Sequence, residues 1–257
     1  MTTEPWEPNV TAPIKADLRR AEAKLEAAIR RGFKPLLDFM LRNWERESPV
    51  AAVAATENLE GLPQALYFAI RDDEWERFAV GMAREVVEGL SVALEMGAEA
   101  GRGDLPGIVV NWSLDNPAAR QWMRQWSLDL VKGLLQTTKD RMRETLSSGL
   151  GLGESRDELA ARIRLVAQDV PEWRARLIAQ SETVRAYNQG HLQLYKASGV
   201  VERLRWLDGQ PNACPLCEAL DRQEVELGEL FKGGVDAPPL HPGCRCDSRG
   251  IVMGAPR

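Results

Sequence analysis

All four cysteines of the chain, and one of its two histidines, lie between Cys214 and Cys246. The order is Cys214-Pro-Leu-Cys217, then 23 residues, then His241-Pro-Gly-Cys244-Arg-Cys246. Two cysteines separated by two residues can direct both sulfurs at one tetrahedral ion at ~2.3 Å, because the turn between them folds back. Pro215 stiffens that turn. His241 and Cys244 repeat the same gap, and Gly243 frees the backbone between them. Two such half-sites supply the sulfur and nitrogen ligands that zinc prefers. Five donors compete for four places. The shared spacing favours Cys214, Cys217, His241 and Cys244, and Cys246 is able to replace either His241 or Cys244. Binding requires thiolates and a neutral imidazole, so it should release protons. Four protein ligands leave no open position for water, so a structural Zn2+ is expected rather than a catalytic one. The alternatives are four unconnected buried thiols or a redox pair at Cys214 and Cys217. A redox pair normally opens a helix after a strand in a βαβ unit, and the Pro- and Gly-rich surroundings fit that poorly.

A second polar cluster, Ser181, Glu182, Thr183, Arg185, Tyr187 and Asn188, precedes the cysteines on a stretch with helical texture. It reads either as a binding patch or as a buried network tying helix to sheet, and the network is favoured because buried polar groups must find partners. Glu182 and Arg185 are spaced to pair on a helix. His191, distant in sequence from the cysteines, reads as a packed or surface histidine rather than a ligand. Arg203, Arg205, Arg245 and Arg249 flank the cysteine region. Glu218, Asp221, Glu224, Glu226 and Glu229 are interspersed with them, so a mixed solvated surface is expected ahead of a DNA-binding one.

The elements that must position these residues are mostly helical. Leu18, Ala21, Leu25, Ala28 and Ile29 repeat at three and four, predicting a helix over about 16–40. Trp75, Phe78, Met82, Val86, Leu90 and Leu94 share one face of a helix over about 72–98. A third helix follows Pro117, with Trp122, Trp126, Leu130, Val131 and Leu134 as its apolar stripe, continuing to Met142 and Leu146. Gly149, Gly151 and Gly153 close it. Ser155 and Glu158 form a capping box that opens a fourth helix, with Leu159, Ile163 and Val166 on its buried side. Pro171 begins a fifth, which ends at Gly199. The texture then changes: VERLRWL (201–207) reads as a short strand, and the remainder is turn-rich.

The fold class is therefore α+β: a mostly helical N-terminal region, then a small α+β C-terminal module whose loops are stapled by a Cys/His metal site. The expected organisation is a flexible 1–12, a helical region 13–150, and a module 151–257. A chain of 257 residues with 44% hydrophobic and 28% charged residues has ordinary globular composition. A net charge of −5 argues against a dedicated DNA-coating protein. The start, MTTEPWEPNV, shows no basic segment followed by an apolar core, so no secretory signal is expected. No run approaches the ~18 apolar residues of a membrane helix. A cytosolic site of synthesis favours reduced or metal-bound cysteines over disulfides.

The residues from about 173 to 251 resemble the phage Mu F-like minor head proteins, the phage head morphogenesis family. The matching pieces are Arg176 to Thr183 (RLIAQSET), Arg185 to Gly190 (RAYNQG), Gly199-Val200, Arg205-Trp206 and Asp208. They continue through Cys214 to Cys217 (CPLC), Leu220-Asp221, Phe231 and Pro238 to Cys246 (PPLHPGCRC). The stretch from Trp112 to Leu165 matches more loosely, and the first 110 residues carry no assigned motif. Three departures stand out. Ser181-Glu182-Thr183 replaces the usual Thr-Glu-Thr. Gly243 stands where Asn is common. Asp208 to Asn212 replaces an aspartate-rich stretch. None removes a candidate ligand. The resemblance implies a minor virion component, made in the host cytoplasm and housed in the phage head. It would act in procapsid assembly with portal, scaffold or major capsid protein, with packaged DNA as a further candidate partner. Neither membrane association nor a small-molecule substrate is implied, and no enzyme activity is expected. Competing readings are a zinc-stapled nucleic-acid-binding module, and an enzyme. The enzyme would be a metal-dependent nuclease or a relative of ADP-ribosyltransferase-like folds, with Arg176, Ser181 and Glu182 as the residues to watch. With 11 residues after Cys246, no appended downstream domain is expected.

Overall fold

The computed structural model describes residues 12–46, 72–168, 172–208, 213–252 and 254. The expected flexible start (1–11), the mixed segment 47–65, Pro171 and residues 209–212 lie outside the described residues. The helices are α1 (Ala12–Arg46), α2 (Asp72–Gly101), α3 (Pro117–Gly151), α4 (Arg156–Gln168) and α5 (Glu172–Ser198). A short 3-10 turn, Arg102–Asp104, follows α2. Strand β1 (Val201–Leu207), the short helix α6 (Pro215–Glu218), β2 (Glu224–Glu226) and β3 (Asp247–Val252) complete the chain. The architecture is thus mostly helical, with one small antiparallel sheet near the C-terminus.

Contacts group the described residues into two compact units. One takes residues from 1–26, Val86–Gln125 and 176–257; the other takes residues from 27–85 and Trp126–Ala175. In the second unit the buried residues are Ala28, Ile29 and Phe33 of α1, Trp75 and Met82 of α2, Val131, Leu134 and Leu146 of α3, and Leu159 and Ile163 of α4. Lys139 sits 5.7 Å from the Trp75 ring centroid, and Lys132 pairs with Glu76 at 3.0 Å. The capping box is present: the Ser155 amide donates to Glu158 at 2.7 Å, and the Glu158 amide lies 3.4 Å from Ser155 Oγ. Arg162 grips Glu154 with two nitrogens, closing the α3–α4 turn.

The buried face of α3 is displaced from the tryptophan stripe. Ala119, Met123, Ser127, Val131, Leu134, Thr138, Met142 and Leu146 are buried, whereas Trp122, Trp126 and Leu130 are only half-buried. Bulk pointed to the wrong side because two polar residues occupy the buried line. Thr138 is accommodated by donating to the Leu134 carbonyl at 3.0 Å, a bond available inside a helix.

In the first unit the sheet order is β2-β1-β3, all antiparallel. Leu204, with Val225 opposite it on β2, and Trp206 face a core that also holds Phe231, Leu220, Leu105, Trp112 and Met123. Trp206 and Phe231 meet edge to face at 5.1 Å. Cys217, Cys244 and Cys246 belong to this same core. Helix α5 is the spine of the unit, buried along nearly all of its residues from Ala179 to Tyr195. It crosses α2 at backbone contact. A Cβ on Gly97 would lie 1.8 Å from the Tyr187 carbonyl oxygen, and one on Gly190 would lie 2.0 Å from the Leu94 carbonyl oxygen. Only glycine permits that approach. Among the described residues no helix is long and apolar enough to cross a membrane.

Because the obstacle is backbone, Gly190→Ala should cost about 3 kcal/mol by overpacking, lowering the thermal midpoint by on the order of 10 °C. Gly133→Ala, on an exposed stretch of α3 with nothing within 4 Å of the added carbon, should stabilise by up to about 1 kcal/mol. Thermal denaturation of both variants checks the pair, and similar midpoints for the two would contradict the crossing.

Candidate metal centre

The two half-sites come from different sides of the small sheet. Cys214 and Cys217 lie on the connection between β1 and β2. Cys214 caps α6: the amides of Cys217 and Glu218 both donate to its carbonyl at 2.9 Å. The connection returns to the sheet through Arg222, whose amide donates to the Trp206 carbonyl, and through the Trp206 amide, which donates to Gln223. His241, Cys244 and Cys246 lead into β3. The pairing of Leu207 with Asp247 places Cys246 just beyond the end of the β1–β3 ladder.

The structure brings all five candidates together. Cys214 Sγ and Cys217 Sγ each lie 3.2 Å from His241 Nε2, and Cys217 Sγ lies 3.7 Å from Cys244 Sγ. The donor atoms of Cys214, Cys217 and His241 fall within 4.8 Å of one another, as do those of Cys217, Cys244 and Cys246. Cys217 is common to both groups. Metal–sulfur bonds of ~2.3 Å at tetrahedral angles give a sulfur–sulfur edge of ~3.8 Å, so the Cys217–Cys244 separation suits one ion. All four cysteines are free thiols.

The histidine is oriented for ligation. Its Nδ1 lies 2.9 Å from the Pro242 carbonyl oxygen. A proton on Nδ1 donates there and leaves the Nε2 lone pair facing the sulfurs, which is how metal-bound imidazoles are usually held. Cys217, Cys244 and Cys246 are buried, while Cys214 and His241 are half-exposed, so the cluster can be reached from solvent on one side. The electrostatics are those of crowded thiols. Hydrogen bonding from Cys246 is the main reason that Cys244 is lowered to about 5. Cys246 is pushed up by sharing that bond and by burial. Burial, then the charge of Cys244, raises Cys217 to about 12. At Cys214 burial opposes ionisation, but hydrogen bonds from the Cys217 amide and side chain and from His241 outweigh it. At His241 burial opposes protonation, yet the Pro242 carbonyl and the Cys244 and Cys214 sulfurs shift it upward.

Helix α5 holds the second half-site from behind. Ser181 Oγ donates to the Leu177 carbonyl at 2.7 Å and accepts from the Gly243 amide at 2.9 Å. Gly243 has φ +74, a conformation that favours glycine in the turn between His241 and Cys244, and a Cβ there would also crowd Leu177 Cδ1 at 3.1 Å. Asn188 Nδ2 faces the Cys246 carbonyl at 3.4 Å and the Val184 carbonyl at 3.0 Å. Its Oδ1 accepts from Ser248 Oγ at 2.9 Å. Gln189 donates to Asp236 at 3.1 Å. His191 is packed rather than ligating: it is buried, with Nδ1 at 3.0 Å from the Ser248 carbonyl and 3.3 Å from Asp247. Within the polar cluster of α5, Ser181 and Asn188 tie the helix to the closing segment, whereas Glu182 faces Arg185 on the helix itself and the buried Thr183 hydroxyl has no hydrogen-bond partner among the described residues. Sequence reasoning did not pick out Ser248, Asp236 or Asp104 as partners of α5. Asp104, 91 residues from Tyr195, accepts from the Tyr195 hydroxyl and from Arg249, each at 2.6 Å. No sequence signal marks such pairs, because each side chain is ordinary in its own segment.

The flanking cations are engaged. Arg203 and Arg205 both bind Glu224, and Arg176 lies 3.9 Å from Glu26. Glu182, mostly buried, faces Arg185 at 3.4 Å. Replacing Asn188 by Leu keeps the volume but strands the Ser248 hydroxyl and the Cys246 carbonyl, and should destabilise by about 2–3 kcal/mol. Arg205→Ala, at a partly exposed pair, should cost less than about 1 kcal/mol. Denaturant midpoints would show the ranking, and a reversed order would refute the network.

Comparison with curated proteins and with solved structures gives no match. A family model does match: residues 140–249 fit the model described as phage Mu protein F like protein. That span covers the end of α3, α4, α5, β1, β2 and all five cluster residues. Over residues 140–249 the chain is accordingly similar to the phage Mu protein F like family.

Proposed function

We propose that the chain is a phage head morphogenesis protein, a minor component of the virion. The observation that carries this reading is the family match over residues 140–249, which spans the whole Cys/His cluster and the helix that backs it. In this reading the protein acts in procapsid assembly at or near the portal, contacting portal, scaffold or major capsid protein. Packaged DNA is a further candidate contact during packaging or ejection. The Cys/His cluster then serves as a structural Zn2+ centre and not as a catalytic one. Cys214, Cys217 and His241 would hold the ion with Cys244 or Cys246 as the fourth ligand, and Cys217 is the residue common to both close groups of donors. The donor set supports zinc: sulfur and imidazole nitrogen at tetrahedral spacing. The bound ion would supply a cross-link between the two sides of the sheet.

Two observations favour assembly over the other readings. Arg203, Arg205 and Arg249 are each engaged by a carboxylate, which leaves them poorly placed to bind phosphates. Ser181 and Glu182 are buried, with the Ser181 hydroxyl engaged by the Gly243 amide and Glu182 facing Arg185.

Two outcomes are expected. The purified full chain should carry about one zinc, lose it to a strong chelator under reducing conditions, and melt lower afterwards. Cys217→Ser should arrive without the ion, and zinc uptake by the reduced apoprotein should acidify a weakly buffered solution. An unchanged melting curve after complete chelation would count against the structural centre. Separately, mass spectrometry of purified phage heads should find the protein in few copies, and deletion should abolish infectious particles. Absence from both procapsid and virion would defeat the assembly role.

A further inference from the structure

The second half-site is attached to α5 at two places that frame it. Ser181 takes the Gly243 amide, between His241 and Cys244. Asn188 faces the Cys246 carbonyl and is itself oriented by Ser248. Ser181 and Asn188 are seven residues apart on one helix, so they lie two turns apart on one face, separated by about 10 Å. The helix that carries them is fixed by its glycine crossing with α2, and none of these contacts passes through a sulfur or the His241 ring. Among the described residues, Cys214 and Cys217 are held by bonds within their own turn and by the neighbouring strands.

We infer that Ser181 and Asn188 are positioning residues for the metal centre. They hold His241, Cys244 and Cys246 in ligating geometry before the ion arrives, and thereby set its affinity. The inference rests on the metal reading above. Its physical basis is that Gly243 occupies a left-handed conformation whose partly buried amide donates to the Ser181 hydroxyl. Without that acceptor the turn gains freedom, and the loss is felt when the ligands must converge. Partners one shell behind the ligands typically alter metal affinity by about 10–100-fold.

The test uses the full chain, reduced and stripped of metal, titrated with Co2+ alone and then displaced by Zn2+. Ser181→Ala should weaken Co2+ binding at least about tenfold, with far-ultraviolet circular dichroism unchanged. Ser181→Thr, which keeps the hydroxyl, should recover most of the affinity. Asn188→Ala should shift the visible d–d bands of bound Co2+, a change that loss of general stability alone would not produce. Amide hydrogen exchange gives a readout that does not depend on the variants folding: in the metal-free native chain the Gly243 amide should remain protected. If the native chain shows cobalt–thiolate absorption while both alanine variants match its affinity within twofold and its spectrum, or if Gly243 exchanges freely in the apoprotein, the inference fails and the metal centre stands. If the native chain gives no cobalt–thiolate absorption, both fail together.

Discussion

Thiols packed against one another in a core cannot all ionise. Cys217 and Cys244 stand 3.7 Å apart, and Cys246 shares its proton with Cys244. Burial, then the charge of Cys244, pushes Cys217 upward, and the bond shared with Cys244, then burial, pushes Cys246 upward. A divalent cation inverts that relation, since each added thiolate then stabilises the ion. The surrounding structure can be understood from how it brings these side chains into two close groups that share Cys217.

Two mechanical conditions make the convergence possible. The sheet supplies the first: β1 lies between β2 and β3, so the cysteine pair leaving β1 and the histidine–cysteine segment entering β3 start from adjacent strands. Helix α5 supplies the second. Its buried side carries Ser181, Asn188, Gln189 and His191, and burying so many polar groups is costly unless each finds a partner. The closing loops and β3 provide partners for Ser181, Asn188, Gln189 and the Nδ1 of His191. Every such bond ties a loop carrying a ligand, or the strand after it, to a helix that α2 locks in place at Gly97 and Gly190.

Much of this was legible in the residues. The Cys/His types and their paired spacing are local, and the helices show in three-and-four periodicity: Leu18, Leu25, Val86, Leu90 and Leu94 are all buried. The Ser155–Glu158 box and strand VERLRWL also stand where their local chemistry put them. What was not legible depended on distant partners. Strands β2 and β3 are short, and Asp247–Val252 includes Ser248, Arg249 and Gly250, none of which advertises a strand; pairing with β1 makes it one. The buried line of α3 runs through Ser127 and Thr138, so the larger Trp122 and Trp126 misled. Gly97 and Gly190 look like helix-weakening residues until the opposing carbonyls are seen. The partition of the chain into units, each drawn from separated stretches, likewise follows from tertiary contacts alone.

X-ray absorption at the zinc edge of the native, fully reduced chain tests the central claim most directly. The account predicts one tightly held ion with three sulfur neighbours at ~2.3 Å and one imidazole nitrogen at ~2.0 Å. A first shell made only of oxygen and nitrogen, or substoichiometric zinc that dialysis removes, would contradict it.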